Sequence, residues 1–342
     1  MSCIPRRPWQ PLETNRFWTA QCQLDLLREC RSVRSVQNII RNLPTDLPGT
    51  YDAILEHVDK MTEDVRLILQ RTLRWLGGSL RPMTIAQAME CPTVDVTKHH
   101  LDDNISVVSD EDFFLVCGAL VVHDGPTKRV ALGNRTVLVS GSKRRPTGIF
   151  LRVFQDYLTG TPTKNELSRY FFNIQEVQKE LALGCLTYIL SEDIGKAVAD
   201  VQKLQYESAR RYALLDRRPL LLYALDGGFE HVQRITAEDD DDVIDLMQRL
   251  QDHIEGNQQT YSMVVDSLND HHCRDVCRWI MDERELVLGI VLRFGPPWMV
   301  RRFLLRRGDL LAGEAGGKLL GRVAELQRTS ELAEMVRDMV SL

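Results

Sequence analysis

The sequence lacks the features of a secreted or membrane protein. Its first residues, MSCIPRRPWQ, contain no apolar run of the signal-peptide kind. Its strongly apolar runs, such as residues 286–292, fall far short of the roughly 18–20 residues that a membrane-spanning helix requires. Most of its eight cysteines lie far apart in the sequence, which argues against a disulfide framework. We therefore expect a cytoplasmic protein, with the nucleus as the alternative compartment, and no membrane partner.

Motifs for catalysis and nucleotide binding are missing as well. No Gly-x-Ser-x-Gly elbow of the α/β-hydrolases occurs. The nearest approach to a phosphate-binding loop, residues 313–319 (GEAGGKL), has the wrong spacing and places Leu319 where a magnesium-binding hydroxyl belongs. This stretch is interpreted as a glycine-rich turn with a solvated lysine. We expect no enzyme activity, no catalytic residue, no cofactor and no nucleotide binding.

An excess of one charge is also absent. A formal net charge of −5 gives no general reason for a nucleic-acid partner. Five successive acids at 238–242 lack the alternating ligands and central glycine of a calcium loop, so they are interpreted as the start of a helix over 243–254. The bases at 143–145 form either a solvated loop or a nucleic-acid contact or import signal.

Two groups of metal-binding residue types remain. His272, Cys273 and Cys277 have a spacing that would place them near one another on a helix, but a structural zinc site needs four ligands and no fourth is evident. The apolar residues around Cys277 favour a buried small side chain. The pair His99-His100 is assigned to a loop. We predict no metal site.

The most informative stretch is 61–132, whose order of patterns is helix, helix, helix, hairpin. A first helix over 61–78 has an apolar face and ends at Gly77-Gly78. Thr84 with Gln87 predicts a capping box, and Ser109 with Asp112 predicts another that opens a third helix. Two β-rich runs, 119–123 and 129–132, flank Asp-Gly-Pro turn chemistry. This order is typical of a winged helix.

Further helices are predicted on both sides of that stretch. Residues 16–42 suggest two helices that meet near Arg31, and a third pattern covers 51–58. Asn165 is predicted to cap a helix that reaches Phe171. Residues 175–190 show one apolar helical face on which Cys185 is most simply a core residue. The chain is therefore expected to be mainly α-helical.

Several of these segments together resemble a known group of proteins. Phe17-Trp18, CQLDLLREC at 22–30 and LPTDLPGTYDAIL at 43–55 resemble the segment that follows the nucleotidase domain in fungal NACHT proteins with ankyrin repeats. LRWL at 73–76, RPMTI at 81–85 and VCGALV at 116–121 are similar to the winged-helix domain named after the inositol deacylases of the glycosylphosphatidylinositol pathway. The resemblance covers roughly 16–235, including LALGCLTYIL at 181–190 and LLLYAL at 220–225, which resemble the helical spacer of these proteins.

The chain departs from that group in two respects. The phosphate loop of a NACHT domain and the lipase part of the deacylases are both absent, so the resemblance implies no hydrolase activity. Residues 133–152 look interposed between the second wing strand and the next helix, and the histidine that the family carries there is missing.

The last part of the chain repeats itself with an offset of 32 residues, which places Leu288 over Leu320 and Val291 over Val323. The same offset places Val300 over Leu332, Phe303 over Met335 and Leu304 over Val336. Ankyrin repeats have a period of about 33 residues, but the Thr-Pro-Leu-His signature is absent. We interpret this part as degenerate ankyrin-like repeats, with a plain helical pair as the alternative.

These observations predict four parts. Residues 1–60 are a helical remnant of the post-NACHT region, 61–160 a winged-helix domain with an inserted loop at about 133–152, 161–255 a helical spacer, and 256–342 the ankyrin-like repeats. The function expected is that of a non-catalytic protein-protein interaction scaffold or regulatory fragment of a fungal NACHT/ankyrin signal-transduction protein, with a protein partner. The alternative is a winged-helix/ankyrin transcriptional co-regulator that contacts nucleic acid or a DNA-bound partner.

Overall fold

The computed structural model describes residues 32–41, 46–124, 128–132, 152–202, 207–235, 242–246, 249, 291–292, 295–325 and 330–341. These residues are mostly helical with short antiparallel strands, which confirms the expectation of a mainly α chain. Within these ranges, every helix is too short or too polar to cross a membrane. The chain divides into two compact units, one within 1–77, 82–89 and 107–173, the other within 78–81, 90–106 and 174–342.

The elements of the described chain are α1 (Val33–Arg41), α2 (Leu47–Asp59), α3 (Glu63–Gly78), β1 (Met83–Thr84), α4 (Ile85–Glu90), β2 (Val94–Asp95), β3 (His100–Leu101), α5 (Asp110–Cys117), β4 (Val121–Asp124), β5 (Arg129–Leu132), α6 (Arg152–Leu158), α7 (Ile174–Leu190), α8 (Glu192–Gln202), α9 (Glu207–Arg217), α10 (Leu220–Val232), α11 (Pro297–Arg306), α12 (Gly313–Glu325) and α13 (Ser330–Val340). Residues 242–246 are also helical, at the predicted start of the helix that follows the acidic run.

Helix α2 begins earlier than the sequence pattern predicted. The Asp46 side chain accepts a hydrogen bond from the Gly49 backbone N–H at 2.9 Å, which caps the helix. Pro48 lies in the first turn, where a missing N–H costs nothing. The pattern over 51–58 therefore detected the helix but placed its start one turn too late.

Helix α3 confirms the predicted apolar face, with Ile68, Leu69, Leu73 and Leu76 buried. It ends at Gly78, as the glycine pair predicted. Close packing requires glycine at position 77. A Cβ atom there would lie 2.5 Å from Cζ of Phe172, which is closer than side-chain carbons approach one another. Glycine at this position lets the ring of Phe172 reach the helix backbone.

Both predicted helix starts in the middle of the chain are confirmed. The Thr84 backbone N–H donates to Oε1 of Gln87 at 2.9 Å, while the Gln87 N–H donates to Oγ1 of Thr84 at 3.2 Å. Ser109 caps α5, since its Oγ accepts the Asp112 N–H at 3.1 Å and donates to Oδ2 of Asp112 at 2.8 Å. Each pair satisfies backbone donors that have no partner inside the helix.

The strands of the first unit form one antiparallel sheet in the order β1-β5-β4. Val121 lies opposite Leu132 in the β4–β5 pair, and Met83 lies opposite Val130 in the β1–β5 pair. The predicted hairpin is therefore present, although its first strand begins at Val121 because residues 118–120 form a 3₁₀ turn. The connecting residues 125–127 lie outside the described part of the chain.

Aromatic rings fill the rest of the core of the first unit. The ring of Tyr51 contacts the rings of Phe154 and Tyr157, with centroid distances of 4.6 and 5.1 Å. Asp52 lies beside them and accepts hydrogen bonds from the hydroxyls of Tyr157 at 2.5 Å and Thr163 at 2.8 Å. These contacts join α2 to α6 and to the segment after it, which packs a largely apolar core around one satisfied carboxylate.

The predicted cap at Asn165 is wrong. Residues Asn165–Tyr170 form a 3₁₀ helix whose cap position is Lys164, and no side chain caps it. Its last residue, Tyr170, is fully buried and its hydroxyl donates to Asp59 at 3.4 Å. The segment is held by these tertiary contacts and not by a local cap.

The second unit is built around α7 and α10. Every α7 residue from Leu181 to Ile189 is buried, so the helix is enclosed on all sides and not on the single face that the sequence predicted. Cys185 is a core residue as expected, and a Cβ atom on Gly228 of α10 would lie only 2.8 Å from its Cβ. The backbone of α10 at Gly228 therefore packs directly against the Cys185 side chain of α7.

A small hairpin in the second unit was missed. Strands β2 and β3 pair antiparallel, with Asp95 opposite His100. His100 lies in this hairpin and not in the predicted loop, and His99 sits in its turn with a φ of 52°. The carboxylate of Asp95 accepts the Thr97 backbone N–H at 3.0 Å, which closes the turn.

The C-terminal helices also correct one prediction. Residues 313–319 belong to α12 and do not form a turn. A Cβ atom on Gly316 would lie 2.8 Å from Cγ1 of Val340, so this glycine allows α12 and α13 to pack closely. Lys318 is exposed as predicted, and its ammonium group pairs with Glu314 at 2.8 Å.

Three of the four aligned pairs whose side chains the structure describes share their burial, whereas Phe303 is buried and Met335, the residue aligned with it, is half-buried. Val291 and Val323 are both buried, as are Val300 with Leu332 and Leu304 with Val336; Leu288 lies outside the described residues. The predictions for residues 16–31, the inserted loop at 133–151 and the His/Cys group at 271–277 also fall outside them.

Candidate interaction surface

Helix α5 presents one buried face and one exposed face. Phe113 and Cys117 are buried, and this fixes the rotation of the helix. Glu111, Asp112 and Leu115 consequently face solvent. Leu115 is 65% exposed, and Val108, just before the cap, is 88% exposed. Exposed apolar side chains rimmed by polar residues mark a contact surface when they form a contiguous patch.

The N-terminal end of α5 is strongly acidic. Asp110, Glu111 and Asp112 occupy its first turn, where carboxylates are stabilised by the helix dipole. All three residues are exposed. A helix that reads duplex DNA presents this end to the major groove and needs positive charge close to the phosphates. The observed charge would repel phosphate and attract cationic side chains.

The hairpin beside α5 supplies little positive charge to offset those carboxylates. The guanidinium of Arg129 donates to the carbonyl oxygen of Pro82 at 3.0 Å, so its position is fixed along the sheet. Lys128 is exposed in the turn with a φ of 51°. His123 packs its ring against Phe114, with centroids 5.0 Å apart. The described part of this hairpin therefore offers one exposed lysine and one anchored arginine.

A buried chain of hydrogen bonds crosses the second unit, and we call it the polar chain. It runs from the Leu80 N–H to the Tyr223 hydroxyl (3.4 Å), from that hydroxyl to Nε2 of His231 (2.9 Å), from Nδ1 of His231 to Oε1 of Gln178 (2.8 Å), and from Nε2 of Gln178 to the Gly78 carbonyl (2.9 Å). Because Gln178 donates through its nitrogen, its oxygen must accept, which assigns the proton to Nδ1 of His231.

Burial decides the protonation states of the histidine and tyrosine in the polar chain. Burial lowers the pKa of His231 to about 3, with the charges of Arg234 and Arg81 acting in the same direction. The imidazole is therefore neutral at physiological pH, and both of its nitrogens are engaged. Burial also raises the pKa of Tyr223. The chain fastens the backbone after α3 to α7 and α10, and sequence reasoning missed it because its members are far apart in the sequence.

A second buried polar group lies at the start of α10. Glu90 accepts the Leu220 backbone N–H at 2.8 Å and faces the guanidinium of Arg218 at 3.4 Å. Burial raises the pKa of Glu90, and the Leu220 N–H and the Arg218 guanidinium lower it by a smaller amount. The carboxylate thus takes the place of an N-cap side chain for α10, whose own cap position is Pro219.

The other side chains that could react or bind a metal are cysteines and histidines, and most of them have a packing role. Cys91, Cys117 and Cys185 are buried free thiols, and burial raises the pKa of Cys117 and Cys185. A thiol in such surroundings is a poor nucleophile. Nδ1 of His99 lies 3.4 Å from the Thr187 hydroxyl. Within the described residues, no three His, Cys, Asp or Glu side chains come together as metal ligands.

One exposed surface at α5 combines two apolar and two acidic side chains, and we name it the α5 face: Val108, Glu111, Asp112 and Leu115. No family model, no curated protein and no solved structure matches this chain.

Proposed function

We propose that this chain is a non-catalytic protein-protein interaction scaffold, a regulatory relative of the fungal NACHT proteins with ankyrin repeats. In this proposal residues 61–132 form a winged helix, the helices around α7 and α10 are a spacer, and α11 to α13 belong to degenerate ankyrin-like repeats. The partner is a protein, and the α5 face receives it. The compartment is the cytoplasm or the nucleus.

The order of elements supports the winged-helix part of the proposal. Helix, strand, helix, helix, strand, strand is the order of α3, β1, α4, α5, β4 and β5, and the short first strand pairs with the last one. The hairpin of β2 and β3 intervenes between the second and third of these helices. The first and last elements share a core in which Leu73, Met83 and Leu132 are buried.

One observation carries the proposed function. Leu115 is 65% exposed on the helix that corresponds to the recognition helix of a DNA-binding winged helix, and its neighbours on that face are carboxylates. An apolar side chain within an acidic rim suits a partner that offers an apolar anchor flanked by basic groups. The same charges disfavour the nucleic-acid alternative.

A peptide and a duplex distinguish the two functions. The probe is an alanine-based helical peptide with two adjacent arginines and a leucine three residues after the second of them, and the competitor is random duplex DNA, both followed by fluorescence anisotropy at physiological salt. Saturable binding of the peptide is expected. Leu115→Asp should weaken it at least about tenfold, because the apolar anchor is replaced by a charge. Duplex binding should be no tighter than the nonspecific range of about 10⁻⁴–10⁻⁶ M.

The matched control is Val33→Asp, which introduces the same charge at another exposed apolar residue of the first unit. It should leave peptide binding unchanged. Equal losses in the two variants would remove the α5 face from the proposal. Salt-dependent duplex binding below about 10⁻⁶ M would establish the nucleic-acid function instead.

Nucleotide should have no effect on this protein. Phosphate binding needs converging backbone amides at a glycine loop together with a lysine, and hydrolysis adds a magnesium ligand. Lys318, the lysine of the nearest motif, is in mid-helix and paired with Glu314. ATP or GTP with magnesium is expected to shift neither the melting temperature nor the rate of phosphate release above background. Saturable micromolar binding would contradict the non-catalytic assignment.

A further inference from the structure

We propose that the occupant of the α5 face is a second copy of this chain, which presents helix α11. The inference rests on the proposed function and names its partner. Its starting point is that Leu115 and Leu305 are the exposed leucines among the residues whose side chains the structure describes, each 65% exposed. Each one lies in the last turn of its helix, on the side that faces solvent.

The two leucines occur in the same local pattern. Leu115 is preceded at four and three residues by Glu111 and Asp112, and Leu305 is preceded at the same positions by Arg301 and Arg302. On a helix, residues three and four apart are neighbours, so each leucine has a charged pair beside it one turn toward the N-terminus. The signs of the two pairs are opposite.

Buried phenylalanines hold the two leucines on the exposed sides of their helices. Phe113 and Phe303 occupy equivalent positions, two residues before the exposed leucine, and both are buried in their own units. A helix held by that side chain keeps its leucine and the residue four before it, Glu111 or Arg301, at the exposed surface, while Arg302 is half-buried. We call Arg301, Arg302 and Leu305, together with Trp298, the α11 face.

The composition of the α11 face suits an interface. Trp298 donates its indole N–H to the Ile235 carbonyl at 3.1 Å, which holds the ring in place while part of it remains exposed. Tryptophan and arginine are the residue types that most often carry binding energy in protein interfaces. A pre-positioned ring also loses little conformational freedom when a partner binds.

The geometry of the pattern sets the direction of the contact. The charged pair lies roughly 5–6 Å from the leucine along the helix axis, since each residue rises 1.5 Å. When two such helices pack in parallel, Leu115 meets Leu305 and the carboxylates meet the guanidinium groups. In the antiparallel arrangement the charged pairs lie on opposite sides of the leucines and cannot meet. The contact is therefore parallel.

The consequence for assembly follows from the two faces being different. Each copy carries one acidic face and one basic face, so it can take two neighbours through a heterologous contact. A reciprocal pair of these contacts closes a dimer, and contacts to two different neighbours give rings or open chains. A single pair of short helices buries little surface, so the association is weak, depends on concentration and is screened by salt.

The test exchanges the charges. The full chain is studied by sedimentation velocity up to its highest soluble concentration, alone and as the variants Glu111→Arg and Arg301→Glu. The average sedimentation coefficient of the wild-type protein should rise with protein concentration, and added salt should lower it again. Each variant alone should associate at least about tenfold more weakly, because like charges then face each other. An equimolar mixture of the two variants should associate again, since each supplies the charge that the other has lost.

Matched controls separate this contact from general charge effects. Glu176→Arg changes the net charge as Glu111→Arg does, at an exposed residue in the first turn of α7. Arg337→Glu does the same for Arg301→Glu on α13. Both controls should associate like the wild-type protein. Far-UV circular dichroism checks that the total helix content is unchanged in every variant.

Three outcomes would overturn the inference. The first is a wild-type chain that stays monomeric at every concentration. The second is a mixture of the two variants that does not associate. The third is a weakening of association in the control variants as large as that in the test variants. If the arginine-leucine peptide binds at Leu115 while the chain stays monomeric, the proposed scaffold function stands and its partner is another protein.

Discussion

Lowering the pH from neutrality toward about 4 is expected to destabilise the second unit through His231. The imidazole is fully buried, and in the polar chain its Nε2 accepts a hydrogen bond from Tyr223 while Nδ1 donates to Gln178. A proton on Nε2 would turn an acceptor into a donor that faces another donor, and it would place a charge in a site that burial makes unfavourable. Unfolding releases the imidazole from this constraint.

The sign and size of the effect follow from the difference in pKa. The pKa of His231 is about 3 in the folded protein and 6.5 in its ordinary state. The unfolded chain therefore binds the proton first, and the stability contributed by the neutral imidazole is complete above pH 6.5 and is lost as the pH falls from there toward 3. Each pH unit in that window costs about 1.4 kcal/mol, or about 5 kcal/mol across it.

Urea unfolding at a series of pH values measures this loss. In His231→Gln no group titrates at this position, so the slope of the unfolding free energy against pH should fall by about 1.4 kcal/mol per unit relative to the wild-type protein. His123→Gln is the matched control, because His123 is exposed and should leave the slope unchanged. A wild-type slope in His231→Gln would show that the polar chain does not hold the histidine neutral.

Local signals in the sequence predicted the parts of the fold that depend on neighbouring residues. The reciprocal bonds of Thr84 with Gln87 join residues three apart, and their chemistry can be recognised without any tertiary information. The hairpin of β4 and β5 was predicted for the same reason. The α5 face was partly predictable, because the burial of Phe113 and the helical period together place Glu111 and Leu115 outward.

Tertiary contacts decided the features that the sequence did not predict. Gln178 and His231 are separated by 53 residues and meet only when α7 and α10 pack. Residues 313–319 contain three glycines and were interpreted as a turn, but the packing of α12 on α13 outweighs their low helix propensity. The hairpin of β2 and β3 has strands of two residues each, which is too short for a periodic pattern to be recognised.

The C-terminal helices permit a second large effect to be predicted. Phe303→Ala is expected to cost about 3–5 kcal/mol of local stability, because the ring is 3% exposed and lies between Val300 and Leu304 on the buried face of α11. The matched control is Leu305→Ala on the same helix. Leu305 is 65% exposed, so its truncation should change stability by no more than about 0.5 kcal/mol.

Native-state hydrogen exchange distinguishes stacked repeats from a plain helical pair. Helix α11 contacts α13, which in turn packs against α12. In a repeat array each unit is stable only through its neighbours, so Phe303→Ala should lower amide protection in α12 and α13 as well as in α11. Loss of protection confined to α11 would mean that α12 and α13 form an independent helical hairpin. In that case the shared burial of the aligned positions would reflect ordinary helix packing and not a repeat.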